Sequence, residues 1–217
     1  MNERLLIEKY NIEESKIFVI PIYVDDIFYN TKINQNKKFT IGVIGYYCND
    51  DIKNVDSLLK ICPKFPDINF EMLSSRNKSK FPEKIQKLPN LHFYNVPYEN
   101  IIDKMKTWHG YLGLSKRERG PAALQELKVL GIPTICPLHT GYKEFNPLIG
   151  LNIDSYKSHN ESDIKKYIAS INSLQNNYSY YFELAQIEKE RFWKEEKSSQ
   201  KISKLWETFF TFCLGEK

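Results

Sequence analysis

The sequence has few of the features that mark a metalloprotein, a disulfide-stabilised domain or a membrane protein. Its four cysteines, Cys48, Cys62, Cys136 and Cys213, are widely spaced and form no C-x-x-C pair. Neither a zinc site nor a disulfide framework is therefore predicted. No window approaches about 18 uninterrupted apolar residues, and the charged N-terminus MNERLLIEKYNIEES lacks the apolar core of a signal peptide. We expect a cytoplasmic protein without a transmembrane segment.

Acidic residues and histidines also lack metal-binding patterns. Asp25-Asp26 and Asp50-Asp51 are adjacent pairs and not the D-x-D spacing of a metal-bound diphosphate site. The four histidines show no metal-ligand spacing. No metal site and no cofactor are therefore predicted.

The composition excludes a disordered chain. With 217 residues, 41% of them hydrophobic and 27% charged, the sequence has the length and balance of one globular domain with appendages. The net charge of +4 suits a site for an anion such as a diphosphate, and equally a nucleic-acid surface. A nucleic-acid-binding domain therefore stays open as an alternative at this point, and it predicts strongly salt-dependent binding.

Short apolar strands alternate with amphipathic helices from residue 38 onwards. The strands are predicted at 39–45 (FTIGVIG), 69–73, 92–94, 111–114, 133–136 and 151–153. Helical spacing of apolar residues lies between them, as in Val55, Leu58, Leu59 and Cys62. Parallel strands need crossover connections, so this alternation predicts an α/β fold with a single Rossmann-like, doubly wound parallel sheet.

Two glutamates flank a turn that follows the strand at 111–114. Glu118 lies on the loop, and Glu126 lies in a helix predicted to begin at Pro121 and to end before Gly131. Ligands of such sheets bind at the carboxyl ends of the strands, where helix N-termini offer N–H groups to phosphate. The two carboxylates can therefore accept hydrogen bonds from hydroxyls on two parts of one ligand, while amides near Gly120 face its phosphates.

The segment ERGPAALQELKVLGIPTIC resembles the E-x7-E segment of retaining GT-B glycosyltransferases of the large GT4 family. The resemblance continues over NLHFYNVPYENIIDKMKTWHGYLGLSKRE, over IGYYCNDDIKNVDSLL and over RFWKEEKSSQKISKLWETFF. It implies the C-terminal domain of a GT-B fold, which binds the donor nucleotide sugar.

The resemblance also implies roles for individual residues. Glu118 would contact the donor sugar and Lys53 the diphosphate, as the catalytic pair, and Glu126 would bind the ribose. The other implied donor-binding residues are Tyr46, Arg76, Val96, Pro97, Arg119, Gly120, Pro121 and Ala122. Tyr46 stands where the family usually has a basic residue, so Lys116, Arg117 or Arg119 is expected to supply the missing positive charge. His139 lies where the family's loop approaches the sugar, although a structural role is favoured for it.

Three regions follow from the resemblance. Residues 1–37 look like a remnant of the interdomain helix, strand (17–20) and linker, residues 38–175 form the Rossmann-like donor-binding domain, and residues 176–217 form C-terminal helices that pack across it. Nearly all of the family's first, acceptor-binding domain is absent from the sequence. An acceptor domain is therefore expected from a partner protein or from a second copy.

The function implied is hexosyl transfer from a UDP or GDP sugar, with retention and without a metal ion. The alternative is a non-catalytic module that binds a nucleotide sugar and regulates or scaffolds a complete transferase. With either function, the partner is a nucleotide sugar and not a nucleic acid.

Overall fold

Six parallel strands form one sheet in the described part of the chain, which comprises residues 3–45, 51–74, 77–116, 118, 120–138, 140–153 and 159–214 of a computed structural model. The strands are β1 (Thr40–Ile44), β2 (Asn69–Leu73), β3 (Leu91–Tyr94), β4 (Gly110–Leu112), β5 (Thr134–Pro137) and β6 (Ile149–Leu151). Their order is β3-β2-β1-β4-β5-β6, with every neighbouring pair parallel. This is the order of a doubly wound nucleotide-binding sheet, so the predicted fold class is confirmed.

Helices connect the strands and extend beyond the sheet at both ends of the chain. They are α1 (Glu3–Tyr10), α2 (Asp26–Asn30), α3 (Leu58–Ile61), α4 (Glu83–Gln86), α5 (Ile101–Met105), α6 (Ala122–Leu130), α7 (Thr140–Glu144), α8 (Glu161–Asn176), α9 (Tyr178–Phe192) and α10 (Ser199–Leu214). The predicted end of α6 is confirmed, because Gly131 adopts the left-handed conformation at φ 83° and its N–H bonds back to the helix. Among the described residues, no helix has both the length and the apolar character required to cross a bilayer.

Both faces of the central strand β1 are covered, which explains its uninterrupted apolar sequence. Ile41 and Val43 pack into a hydrophobic cluster on one face. On the other face the Trp108 ring lies directly over Gly42, and its indole N–H donates a 2.9 Å hydrogen bond to the buried Glu71 carboxylate. The Trp108 ring, held by its hydrogen bond to Glu71, leaves no room for a side chain at position 42, so glycine is required there.

A methyl group at Gly42 has no room, because a Cβ atom built there lies 2.0 Å from the Trp108 ring. We expect Gly42→Ala to lower the free energy of unfolding by about 3 kcal/mol, the upper end for overpacking of a core. Urea denaturation measures this loss. The control is Gly120→Ala, whose Cβ would meet only the end of the Ile22 side chain, at 3.2 Å. Equal losses in the two variants would show that the Trp108 contact does not constrain Gly42.

The N-terminal region differs from its prediction at two places. Residues 17–20 were expected to form a strand, but they pair with no strand in the described structure. Phe18 instead packs against α10, with ring centroids 5.4 Å from Phe209 and 4.8 Å from Phe212. The polar stretch predicted as a linker is hydrogen-bonded to the sheet domain, because the Asn34 and Asn36 N–H groups each donate a 3.0 Å hydrogen bond to the backbone just after α5.

The C-terminal helices lie against the helix that carries Glu126. The Gln186 amide of α9 donates a 2.7 Å hydrogen bond to the Gly131 carbonyl at the end of α6. Lys128 of α6 is buried, and its ammonium donates to the carbonyls of Phe145 and Asn146 just after α7, at 2.7 and 3.1 Å. These hydrogen bonds therefore connect α6 to α9 and to the residues that follow α7.

A second buried lysine joins α10 to the N-terminal region. Lys197 ends the π-helical turn Trp193–Lys197, is 1% exposed, and donates a 3.2 Å hydrogen bond to the Ile22 carbonyl. Its ammonium also lies 5.4 Å from the Phe145 ring centroid and 5.5 Å from that of Phe192. Burial lowers the pKa of Lys197 to about 8.

This pKa makes stability depend on pH. Between about 8 and the ordinary value of 10.5, the unfolded chain binds a proton that the folded chain has lost. Lys197 therefore makes the free energy of unfolding rise with pH over that window. We expect the stability of Lys197→Met relative to the unaltered chain to fall steadily as pH increases from about 7 to about 9.5 in urea denaturation. Lys194→Met, at an exposed position in the same turn, should show no such trend. A pH-independent difference for Lys197→Met would contradict burial of this ammonium.

Candidate functional site

The loops that follow β1, β3 and β4 meet at the carboxyl edge of the sheet. In the order β3-β2-β1-β4 the connections from β1 and from β4 leave in opposite directions, which opens a crevice between their loops. The Lys116 N–H bridges this crevice, with a 2.7 Å hydrogen bond to the Ile52 carbonyl. The two loops are therefore held close to each other.

The two residues implied as the catalytic pair lie together in this crevice and form an ion pair. Lys53, which ends the 3-10 turn Asp51–Lys53 after β1, has its ammonium 2.6 Å from Glu118 Oε1. The side chains are 22% and 16% exposed, so the pair is largely shielded from solvent. The Glu118 backbone is fixed as well, because its carbonyl accepts a 2.9 Å hydrogen bond from the Gly141 N–H.

The N-terminus of α6 opens onto the same crevice. Pro121 occupies the N-cap position and has no side-chain group that can accept a hydrogen bond from the first turn. The N–H groups and the positive end of the helix dipole are thus available to an anion. The crevice encloses about 170 Å³ and is lined by Ile44, Lys53, Tyr111, Glu118, Gly120, Pro121, Ala122, Ala123 and Tyr142. That volume suits a phosphate or a sugar ring but is well below the roughly 300–1,000 Å³ of a site that encloses a whole ligand of nucleotide size.

Glu126 lies on α6, is 5% exposed, and is not part of the lining of the crevice. Its Oε1 accepts a 2.5 Å hydrogen bond from the hydroxyl of Tyr98, the first residue of the 3-10 turn Tyr98–Asn100 after β3. Burial raises the pKa of Glu126, and the Tyr98 hydrogen bond opposes that rise. The carboxylate is therefore a buried acceptor that the Tyr98 hydroxyl stabilises in its ionised form.

Tyrosines form the floor that joins the two glutamates. Tyr111 of β4 is buried, and burial raises its pKa well above the usual range, with smaller contributions from the charges of Glu118 and Glu126. Tyr111 hydrogen-bonds to the buried Tyr142 of α7. Tyr111 and Tyr142 both line the crevice beside Glu118.

Not every residue implied by the sequence meets in the crevice. Lys53, Glu118, Gly120, Pro121 and Ala122 line it, whereas Val96 and Pro97 do not. Lys116 is 5% exposed and so offers little surface to a ligand. The implied residues outside the described part of the chain are Tyr46, Arg76, Arg117, Arg119 and His139.

The sequence did not identify Tyr98, Tyr111 or Tyr142 as site residues. Tyr98 directly follows Val96 and Pro97, so proximity in sequence was the available signal, and the resemblance had drawn attention only to the two residues before it. The sequence placed Tyr111 in a strand and Tyr142 in a loop, and gave neither a role in the site. Among the described residues, no group of three or more His, Cys, Asp or Glu side chains could hold a metal ion.

The strand order and the crevice at its switch point define a Rossmann-like, nucleotide-binding class of fold. Within that class, a mutant of TarM from S. aureus in complex with fondaparinux, alpha-GlcNAc-glycerol and UDP is similar, with a TM-score of 0.73 and 18% identity over 96% of this chain and 42% of that one. Sucrose-phosphate synthase from Thermosynechococcus elongatus matches with a TM-score of 0.76 and 11% identity, over 99% of this chain and 57% of that chain.

The C-terminal domain of LpcC, a glycosyl transferase group 1 family protein from Francisella tularensis, matches over 81% of this chain and 100% of its own length, with a TM-score of 0.57 and 14% identity. These structures show that the chain has the fold of the C-terminal domain of GT-B glycosyltransferases. The chain spans only 42% and 57% of the TarM and sucrose-phosphate synthase structures. No protein-family model matches the sequence, and no curated protein matches it significantly.

Proposed function

We propose that this chain binds the nucleoside diphosphate part of a donor sugar and serves as the donor half of a glycosyltransferase. The observation that carries the proposal is the meeting of Lys53, Glu118 and the uncapped N-terminus of α6 in one crevice at the switch point of the sheet. A cation and a helix N-terminus suit a diphosphate, and a carboxylate suits a sugar hydroxyl. The fold shared with GT-B glycosyltransferases supports the same reading.

The three parts of the donor follow from the positions of these groups. The diphosphate lies against Lys53 and the first turn of α6, the sugar lies at Glu118, and the ribose lies at Glu126, with the base near the loop that carries Val96 and Pro97. Because the crevice holds only about 170 Å³, the nucleoside extends from it over the open surface towards Tyr98.

The reaction proposed is transfer of a hexosyl group from a UDP or GDP sugar with retention and without a metal ion. The bond between the sugar C1 atom and the diphosphate oxygen breaks, C1 forms a bond to the oxygen of an acceptor hydroxyl, and the proton of that hydroxyl passes to the departing diphosphate. Lys53 and the N-terminus of α6 stabilise the negative charge that develops on the departing diphosphate, and Glu118 orients the sugar. Arg117 or Arg119, which flank Glu118 in the sequence, is proposed to add positive charge.

The acceptor side of the reaction is proposed to come from a second body, either a partner protein or a second copy of the chain. This chain matches about half of the length of the similar structures, so an acceptor-binding part, wherever it is encoded, lies outside the matched residues. The same observation favours a second candidate function, a module that binds a nucleotide sugar without catalysis and regulates a complete transferase.

Calorimetric titration with UDP, GDP and ADP, followed by their glucose conjugates, tests the proposal. Saturable binding of one nucleoside diphosphate, with a dissociation constant below about a millimolar, is the expected result. Hydrolysis of the bound sugar nucleotide, detected as released glucose, would favour the transferase over the module. Absence of binding by all three nucleoside diphosphates would overturn both functions.

A further inference from the structure

Tyr98 has an unusual combination of an exposed ring and a hydroxyl group that reaches a buried carboxylate. The residue is 63% exposed, whereas Glu126, which accepts its 2.5 Å hydrogen bond, is 5% exposed. The bond joins the loop after β3 to a helix 28 residues further along the chain. An aromatic side chain this exposed gains little from burial, and its hydroxyl is directed at Glu126 by the hydrogen bond.

The Tyr98 hydroxyl gives Glu126 the same kind of hydrogen bond that a ribose hydroxyl would give. Burial raises the pKa of Glu126 while the phenol opposes the rise. Leaving a buried acceptor of this kind without a donor is costly. Glu126 is 5% exposed and the phenol lies on its Oε1 atom, so a ligand hydroxyl that reaches Oε1 from the Tyr98 side takes the place of the phenol.

We propose that Tyr98 is an internal competitor of the nucleotide ribose and determines how strongly this site discriminates between ribonucleotides and deoxynucleotides. This proposal rests on the proposed function. In the unaltered chain, a ribose hydroxyl replaces the Tyr98 hydroxyl on Glu126, so one hydrogen bond is exchanged for another and the net gain is small. A nucleotide without ribose hydroxyls leaves the Tyr98–Glu126 bond in place and binds through its diphosphate and base.

Tyr98→Phe removes the competing hydroxyl and keeps the ring. The full hydrogen bond to Glu126 then becomes available to the ribose, and we expect binding of the ribonucleotide to tighten about tenfold. The 2′,3′-dideoxy analogue should change by less than about twofold, because it makes no bond to Glu126 in either protein. The ratio of the two dissociation constants therefore increases in the variant.

The experiment is calorimetry of the full chain with UDP, GDP and ADP, each compared with its 2′,3′-dideoxy analogue. Tyr98→Leu is the second variant, and it should increase the same ratio. Tyr180→Phe is the matched control, since Tyr180 is 60% exposed on α9 and lies outside the crevice lining, and no nucleotide should respond to it.

Equal tightening for the ribonucleotide and its dideoxy analogue would overturn the proposal, because Tyr98 would then act only as a steric cover. An unchanged or weakened affinity for the ribonucleotide in Tyr98→Phe would also overturn it. If the unaltered chain binds none of the nucleoside diphosphates, the proposed function fails and this role of Tyr98 fails with it. Binding by the unaltered chain combined with an unchanged ratio refutes the role of Tyr98 alone.

Discussion

Replacing Glu126 by glutamine in the Tyr98→Phe chain is expected to weaken the binding of a ribonucleoside diphosphate by about ten- to a hundredfold, because the ribose has no phenol to displace there and a hydrogen bond to a charged group contributes about 1.5–3 kcal/mol. The carboxylate is 5% exposed and already holds a hydroxyl group from Tyr98 at 2.5 Å, so the geometry for accepting a ligand hydroxyl is in place. The amide has a similar size, so the packing of α6 should be kept. Calorimetry with UDP, GDP and ADP measures the change.

The matched control for this substitution is Glu83→Gln. Glu83 lies on α4, is 77% exposed, and is paired only with Lys87 in the next turn of the chain at 2.6 Å. We expect no change in nucleotide affinity from it. If Glu126→Gln and Glu83→Gln, each made in the Tyr98→Phe chain, both leave the affinity unaltered while the Tyr98→Phe chain binds, the ribose does not lie at Glu126 and the proposed orientation of the donor is wrong.

Substitutions at Lys53 and Glu118 are expected to change affinity for a nucleoside diphosphate in opposite directions. The two side chains neutralise each other at 2.6 Å, and an arriving diphosphate must compete with Glu118 for the ammonium group. Glu118→Gln frees that ammonium and removes a like charge, so we expect binding to tighten about tenfold. Lys53→Met removes the cation and leaves Glu118 uncompensated, so binding should weaken by about a hundredfold.

The opposite directions of the two expected changes in affinity distinguish a direct contact between Lys53 and the diphosphate from a general disturbance of the loops. Lys87→Met and Glu83→Gln break an ion pair of the same 2.6 Å length at a solvent-exposed position, and neither should alter affinity. Weaker binding in both Lys53→Met and Glu118→Gln would mean that the pair holds the crevice in shape and that Lys53 is not the group that contacts the diphosphate. Glu118→Gln should still abolish hydrolysis of a sugar nucleotide, if the unaltered chain has it, because the group that orients the sugar is lost.

Local patterns were sufficient to predict the sheet. The strand at Asn69–Leu73 has the predicted bounds, and Gly131 ends α6 as expected, because buried parallel strands and glycine C-caps depend on neighbouring residues in sequence. The strand predicted at 17–20 was wrong for the opposite reason. An apolar run of that length forms a strand only if a sheet edge is available for pairing. Here Phe18 packs instead against aromatic side chains of α10.

The candidate site was predictable only in part. The E-x7-E spacing and the register of Lys53 directed attention to one crevice, and the structure brings Lys53 and Glu118 into contact there. The bond from Tyr98 to Glu126 joins a loop to a helix that is distant in sequence, and periodicity does not predict such a contact. The burial of the Lys197 ammonium could not be predicted from the sequence either. The groups around it come from the N-terminal region, from the residue after α7 and from α9.

A nucleoside diphosphate is proposed to occupy the crevice at the carboxyl edge of the sheet. A crystal structure of the chain with UDP would show directly whether it does, and GDP or ADP would replace UDP if one of these binds more tightly. We expect phosphate oxygens to lie within hydrogen-bonding distance of the Lys53 ammonium and of the first-turn N–H groups of α6, with a ribose hydroxyl on Glu126. We also expect the Lys53 ammonium to contact the phosphate in place of Glu118. A nucleotide bound elsewhere, with the Lys53–Glu118 ion pair unbroken, would contradict the account.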